Sequence, residues 1–306
     1  GLDSSLITSI VCKLLKDKTD VPLETYSIGM EGSTDLIAAK KVAEYLETNH
    51  TEILLTEDDF FNAIPDVIYR IESFDTTTVR ASVGNYLVSK YIAEHSDAKV
   101  IFNGDGSDEL TGGYLYFHNA PNKLCFDNEV KNLLENIYYF DVLRSDRSIS
   151  SNGLEPRTPF LDKSFVQLYL SIPLIYRYQP GQIEKKLLRD SFAAYLPEYL
   201  PEEIIYRKKE AFSDGVSSTE RSWYQVISEK IEKIENTEFE EFCNNNFGNK
   251  FGNKFGNKFG NKFPKTREQL YYRYLFEKYY HKRDNIIPYF WMPKWSNTDD
   301  PSARTL

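Results

Sequence analysis

From Leu2 to Leu15 the apolar residues Leu6, Ile10, Val11, Leu14 and Leu15 recur at helical spacing, which predicts an amphipathic helix starting almost at the first residue. Residues 25–30 predict a short strand. The turn Gly32-Ser33-Thr34-Asp35 then caps a second helix ending at Leu46, and residues 50–56 read as another strand. Thr56 followed by Glu57, Asp58 and Asp59 is a helix start, with a hydroxyl for the free amides and acids against the positive end of the dipole. That helix is predicted to run to about Glu72. A further helix over residues 81–95 leads into Ala98-Lys99-Val100-Ile101-Phe102-Asn103, an apolar run suited to a buried parallel strand. The alternation predicts an α/β fold with a doubly wound parallel sheet.

Beyond Gly113 the pattern changes to helices joined by polar loops, over residues 127–143, 164–171, 183–195, 222–242 and 267–280, which predicts a C-terminal helical subregion. Within it, residues 247–262 are the tetrapeptide Phe-Gly-Asn-Lys repeated four times. A phenylalanine at every fourth position would suit a helical stripe. Glycine at the same period costs about 1 kcal/mol each in a helix, so a flexible inserted loop is expected. The repeat contains no Gly-Lys pair and therefore no G-x-x-x-x-G-K-[ST] phosphate loop.

At 306 residues the chain can bury a sizeable core, and its 22 Tyr and 20 Phe supply aromatic bulk for it. A formal charge of −9 argues against a nucleic-acid partner, so an anionic substrate must meet local cations. No apolar run approaches bilayer length and no leader pattern opens the chain. The expectation is a soluble, cytoplasmic protein with no membrane partner. Cys12, Cys125 and Cys243 are far apart, which predicts buried free thiols, and the histidines have no metal-ligand spacing. The first residue is Gly1 rather than Met, as in a processed chain or a piece of a longer one.

Two loops carry candidate chemistry because each opens toward a helix, where open α/β sheets place their binding loops. In Gly1-Leu2-Asp3-Ser4-Ser5 the glycine permits close backbone approach, and successive amides at a helix N-terminus suit pyrophosphate. Asp3 is wrong for phosphate directly but suits a magnesium carried by phosphates. The competing reading is that Asp3, Ser4 and Ser5 simply cap a helix. Asn103-Gly104-Asp105-Gly106-Ser107-Asp108-Glu109 places three carboxylates within five residues, a self-repelling set unless a cation is shared. An acidic surface turn is the alternative. In Arg207-Lys208-Lys209-Glu210 a lysine can neutralise a transferring phosphoryl group, or the cations can be a solvated face.

Together these stretches resemble a known family. Gly1 to Ser5 is similar to the tail of the S-G-G-x-D-S-S loop of ATP pyrophosphatases. Tyr26-Ser27-Ile28-Gly29, Arg80-Ala81-Ser82, Gly106-Ser107-Asp108-Glu109, Gly112-Gly113-Tyr114, Pro159-Phe160-Leu161-Asp162, Phe212-Ser213-Asp214-Gly215-Val216 and the closing Asp300-Pro301-Ser302-Ala303-Arg304-Thr305-Leu306 narrow it to the synthetase half of glutamine-dependent asparagine synthetases. The resemblance covers nearly the whole chain apart from the Phe-Gly-Asn-Lys insert. It implies an adenine nucleotide alpha hydrolase-like fold and a two-step reaction on L-aspartate. The carboxylate attacks ATP, pyrophosphate leaves, and ammonia then displaces AMP.

Carried over residue by residue, the resemblance implies that Asp3 and Asp108 bind Mg²⁺, that Gly1, Leu2, Ser4 and Ser5 form the pyrophosphate loop, and that Ile28, Asn103 and Gly104 contact the nucleotide. Lys209 would stabilise the transferring phosphate, and Arg80, Lys185 and Arg189 would contact aspartate or phosphate. The family usually has Ser-Gly-Glu-Gly where this chain has Asn103-Gly104-Asp105-Gly106. If this carboxylate positions the adenylate or the amine, about 1 Å of lost reach predicts a reaction slower by on the order of a hundredfold. The family also implies a strand before Gly1 and an upstream glutaminase domain, with ammonia delivered from it or in trans. Another adenylating amidotransferase, such as a β-lactam-forming synthetase, and a non-catalytic binding relic are the other readings. The sequence does not set the oligomeric state, a homodimer being one outcome.

Overall fold

The computed structural model describes residues 1–247 and 264–296, so the repeat beyond Phe247 and the closing residues 300–306 lie outside the described residues. The first part alternates: α1 (Leu2–Leu15), β1 (Glu24–Gly29), α2 (Thr34–Leu46), β2 (Asn49–Leu54), α3 (Glu57–Asn62), α4 (Ile64–Ile71), α5 (Thr76–His95), β3 (Val100–Phe102) and α6 (Ser107–Thr111). Helices dominate afterwards: α7 (Lys123–Asn136), α8 (Asp141–Ser150), then β4 (Glu155–Arg157), α9 (Lys163–Ser171), α10 (Leu174–Arg177), α11 (Lys186–Tyr195), α12 (Glu202–Ile205), α13 (Phe212–Gly215), α14 (Trp223–Glu232), α15 (Thr237–Asn246) and α16 (Arg267–Tyr279).

Local chemistry sets most of these boundaries. Ser33 caps α2 by accepting from the Leu36 amide at 3.2 Å, and Thr56 and Asp59 form a reciprocal capping box on α3. The helix expected to reach Glu72 is interrupted at Ala63, because Pro65 brings no amide donor and α4 restarts around it. α5 begins at Thr76 rather than Ala81, since buried Asp75 accepts from the Thr78 amide at 3.0 Å. The helices expected over 127–143 and 222–242 each split. Phe140 leaves helical geometry at φ −128° and ψ −94°, and the Asn236 side chain caps a new start at Thr237 by accepting from the Phe239 amide.

The result is mixed α/β but mostly helical, and the parallel pairing is in two small sheets rather than one doubly wound sheet among the described residues. β1 pairs with β2 from Glu24↔Asn49 to Gly29↔Leu54, and β3 with β4 from Val100↔Glu155 to Phe102↔Arg157. The run 98–103 contributes a strand of three residues, with Val100 and Phe102 exposed at 45% and 52% instead of buried. Among the described residues β3 has a partner on one edge only, and residues of both β1 and β3 line a shared cleft of about 920 Å³. Ile7 and Val11 of α1 and Val88 and Ile92 of α5 line the cleft as well.

The largest core is built on Phe60, Ile64, Ile68, Val83, Trp223 and Phe276, so α14 and α16 pack on the same interior as α3 to α5. Phe60 and Trp223 meet edge to face with centroids 5.5 Å apart. Each large apolar side chain so buried stabilises the fold by about 1.5–3 kcal/mol. The three cysteines are free but half-buried rather than buried, since larger neighbours such as Leu6, Phe126 and Phe239 take the inward stripe of their helices. No helix among the described residues is long and apolar enough to cross a membrane.

Candidate active site

The two glycine-containing loops meet at the mouth of the cleft. Ser4 and Ser5 donate their hydroxyls back to the Gly1 carbonyl, at 3.3 and 2.7 Å. Asp3 does not cap its own helix. Its Oδ1 accepts from Ser107 Oγ at 2.9 Å and its Oδ2 from Lys185 Nζ at 2.5 Å, which ties the first turn of α1 to that of α6. Gly104 permits the approach, because a Cβ there would lie 2.7 Å from Asp3 Cβ and 2.8 Å from the Ser4 amide nitrogen. Asn103 holds the second loop by donating to Ser145 Oγ at 3.0 Å and accepting from the Asp105 amide at 3.1 Å.

Lys185 precedes α11 in the left-handed region at φ 59°, and its side chain is 1% exposed. Its ammonium lies between Asp3 Oδ2 and Asp108 Oδ1, at 2.5 and 2.7 Å. Lys209 Nζ sits 2.5 Å from the other oxygen of Asp108 and over the Tyr114 ring. Burial opposes the Asp108 charge, but the two lysines outweigh it and hold the carboxyl well below its usual range. For Lys185 burial likewise favours the neutral amine, yet Asp108 and Asp3 push its pKa up. The ammonium therefore stays charged at any physiological pH.

The carboxylates of the second loop do not share one cation. Asp108 takes the lysines, Asp105 lies 3.5 Å from Arg144, and buried Glu109 accepts from the Tyr114 hydroxyl. Arg144 also binds Asp141 at 2.9 Å. Burial, then the neighbouring Asp141 charge, raises the Glu109 carboxyl well above the ordinary range. The adjacent carboxyls of Asp108 and Glu109 are thus shifted in opposite directions.

Gly1, Asp3, Ser4, Ile28, Asn103, Gly104, Asp105, Asp108 and Lys209 all line the cleft. Leu2 and Ser5 face inward, with Leu2 in the apolar cluster beneath α1. Lys185 reaches the carboxylates from α11 and is not part of the cleft wall. Arg80 and Arg189 are elsewhere. Arg80 forks onto Glu268 at 2.7 and 2.6 Å inside the core, and Arg189 donates to the Glu184 carbonyl at 2.8 Å and to Ile205, locking α11 to α12. Sequence reasoning gave no role to Tyr114, Asp141 and Arg144, which complete the cleft wall beside Asp105. The i,i+3 spacing of Asp141 and Arg144 on α8 was the available signal.

Asp108 Oδ1 is buried and, although in ionic contact with Lys185, has no well-directed hydrogen bond. Among the described residues no set of three or more His, Cys, Asp or Glu is arranged to hold a metal. Asp3 and Asp108 both line the cleft with their side chains 18% and 17% exposed, and two such carboxylates fit magnesium that arrives on nucleotide phosphates, which supply the remaining ligands, and not a cage made by protein alone.

The sequence model of the family described as asparagine synthase matches residues 1–133 and 122–254. The chain is similar to the asparagine synthetase [glutamine-hydrolyzing] of Cricetulus griseus, 46% identical over 307 residues that cover 100% of this chain and 52% of that protein. The proteins of that name from Mus musculus and Homo sapiens are each 45% identical over the same shares. The chain spans about half the length of the curated relatives it matches.

Proposed function

The chain belongs to the asparagine synthase family, and from that premise we propose that its cleft carries out ATP-dependent amidation of L-aspartate to L-asparagine. The observation that carries this reading is the convergence of Asp3, Asp108 and Lys209 where the two loops meet. In the first step the aspartate β-carboxylate attacks the α-phosphorus of ATP and pyrophosphate leaves, giving β-aspartyl-AMP. In the second, ammonia attacks the acyl carbon, loses a proton, and AMP leaves.

Backbone amides from Gly1 to Ser5 point pyrophosphate at the start of α1, whose dipole favours the anion. Lys209 offsets charge that builds on the transferring phosphate. Ile28 supplies an apolar wall for the adenosine, and Asn103 and Gly104 shape the loop beside it. Asp105, held by Arg144, orients the adenylate or the amine. Asp3 and Asp108 would hold Mg²⁺, which neutralises and orients the leaving pyrophosphate when bound. Lys185 stands behind those carboxylates.

The open edges of β1 and β3 on one cleft support a further strand between them, which would join the two small sheets into the wider parallel sheet of the pyrophosphatase fold. Ammonia would come from a glutaminase domain, joined or in trans.

Aspartate-dependent exchange of labelled pyrophosphate into ATP tests the reading. The expected result is exchange that requires aspartate and falls about 10²–10³-fold in Lys209→Met. Exchange supported instead by another carboxylic acid, or none from the chain supplied with its upstream part, overturns it.

A further inference from the structure

Two positive and two negative groups meet at this site in a closed balance: Lys185 and Lys209 against Asp3 and Asp108. A carboxylate pair alone would attract a bare divalent ion from solution. Here the pair already has a cation, the Lys185 ammonium, built into the fold beneath it. Two features mark that ammonium as more than a packing peg. It bridges both carboxylates at 2.5 and 2.7 Å while itself only 1% exposed, so it neutralises them without occupying the cleft that they line. Its backbone also takes the left-handed φ of 59°, uncommon for a lysine.

We propose that Lys185 is a resident counter-cation that makes divalent-metal binding at Asp3 and Asp108 conditional on phosphate. With both lysines in place the local charge is zero, and a bare ion gains little while meeting two ammonium groups at close range. When phosphate oxygens arrive in the cleft they take up the charge of Lys209, which lines it, Asp3 and Asp108 turn to the metal while Lys185 stays beneath them, and metal and nucleotide bind as one unit. The coupling is reciprocal: metal tightens phosphate binding by the factor that phosphate tightens metal. The inference rests on the reading of Asp3 and Asp108 as the magnesium ligands.

Mn²⁺ binding without any nucleotide, followed by electron paramagnetic resonance, tests it with no need of turnover. Lys185→Met is expected to bind bare Mn²⁺ at least about tenfold more tightly than the unaltered protein, whereas Lys185→Arg stays weak because the charge remains. Pyrophosphate should strengthen Mn²⁺ binding strongly in the unaltered protein and little in Lys185→Met. A folded Lys185→Met that binds Mn²⁺ no more tightly overturns the proposal. If that variant folds only in millimolar MnCl₂, the ion has replaced the lysine and the proposal is supported; if neither Lys185→Met nor Lys185→Gln folds in either buffer, the lysine is a structural peg and the proposal fails. Absent aspartate-dependent exchange alongside the expected Mn²⁺ result would overturn the amidation reading alone.

Discussion

Two sets of buried charges, one near the start of α5 and one at the first turn of α1, differ in how completely they are satisfied. Arg80 and Glu268 form a two-pronged pair, both side chains under 5% exposed, in which each carboxylate oxygen has its own N–H donor. Trp223 Nε1 donates to the Arg80 carbonyl at 3.3 Å and fixes the arginine's helix against the core. At the cleft one lysine is divided between two carboxylates, one carboxylate between two lysines, and an oxygen of Asp108 lacks a directed donor. Saturated pairs hold a scaffold, because any change leaves a charge stranded. Shared pairs can exchange partners, because a phosphate or a metal can replace one member at little cost. Arg80, expected from its motif to contact substrate, belongs to the first kind.

The sharpest way to break this contrast is Arg80→Met. Leaving Glu268 buried without a partner should cost about 3–5 kcal/mol in urea denaturation, and adding Glu268→Leu should recover most of it. Unchanged stability with lost pyrophosphate exchange would instead put Arg80 in the site. A smaller effect is expected at the junction of the loops. Gly104→Ala must force Asp3 and Ser4 away, costing about 1–3 kcal/mol and weakening the exchange reaction more than its stability loss explains.

The least effect, and the most specific, is on pH dependence. Glu109 has a folded pKa raised above its unfolded value, so it favours folding fully below the ordinary carboxylate range and loses that contribution as pH rises toward the raised value. Asp108 has a depressed pKa, so its contribution is present above the ordinary range and is lost only in strong acid. Glu109→Gln should therefore flatten the decline of stability with rising pH, whereas Asp108→Asn should remove stability throughout neutral pH and only soften that decline, because the Asp108 charge is one of several causes that raise Glu109. Denaturation midpoints between pH about 5 and about 9 check both. A Glu109→Gln profile as steep as the unaltered one would show that the carboxyl is ionised in the fold.

Much of the site was legible because its signals are local. Gly104, Asp105 and Asp108 fall in one heptapeptide, and the helix that begins at Leu2 follows from side-chain spacing alone. The same locality explains one misreading. An apolar hexapeptide looks like a buried strand, but burial depends on what covers each face, and the side chains of Val100 and Phe102, two residues apart on one face of β3, line the open cleft. Arg80, for which motif membership suggests a substrate contact, pairs with Glu268, which lies 188 residues away and has no marker in the sequence. Tyr114 stands in a quoted motif and Asp141 and Arg144 share an i,i+3 spacing, but their place in the cleft wall follows from the packing of α8 beside the second loop.

What the sequence by itself determined is therefore chemical and short-range: helix starts, turns that need glycine, and which residue types can meet phosphate. What only the tertiary structure decided is which charges meet. Lys185 and Asp3 are 182 positions apart, and their union at 2.5 Å depends on packing α11 against the first turn of α1. The physical reason is range. Helical spacing and turn geometry act over a few residues, whereas the state of a buried charge is fixed by whatever the whole fold brings within a few ångströms of it.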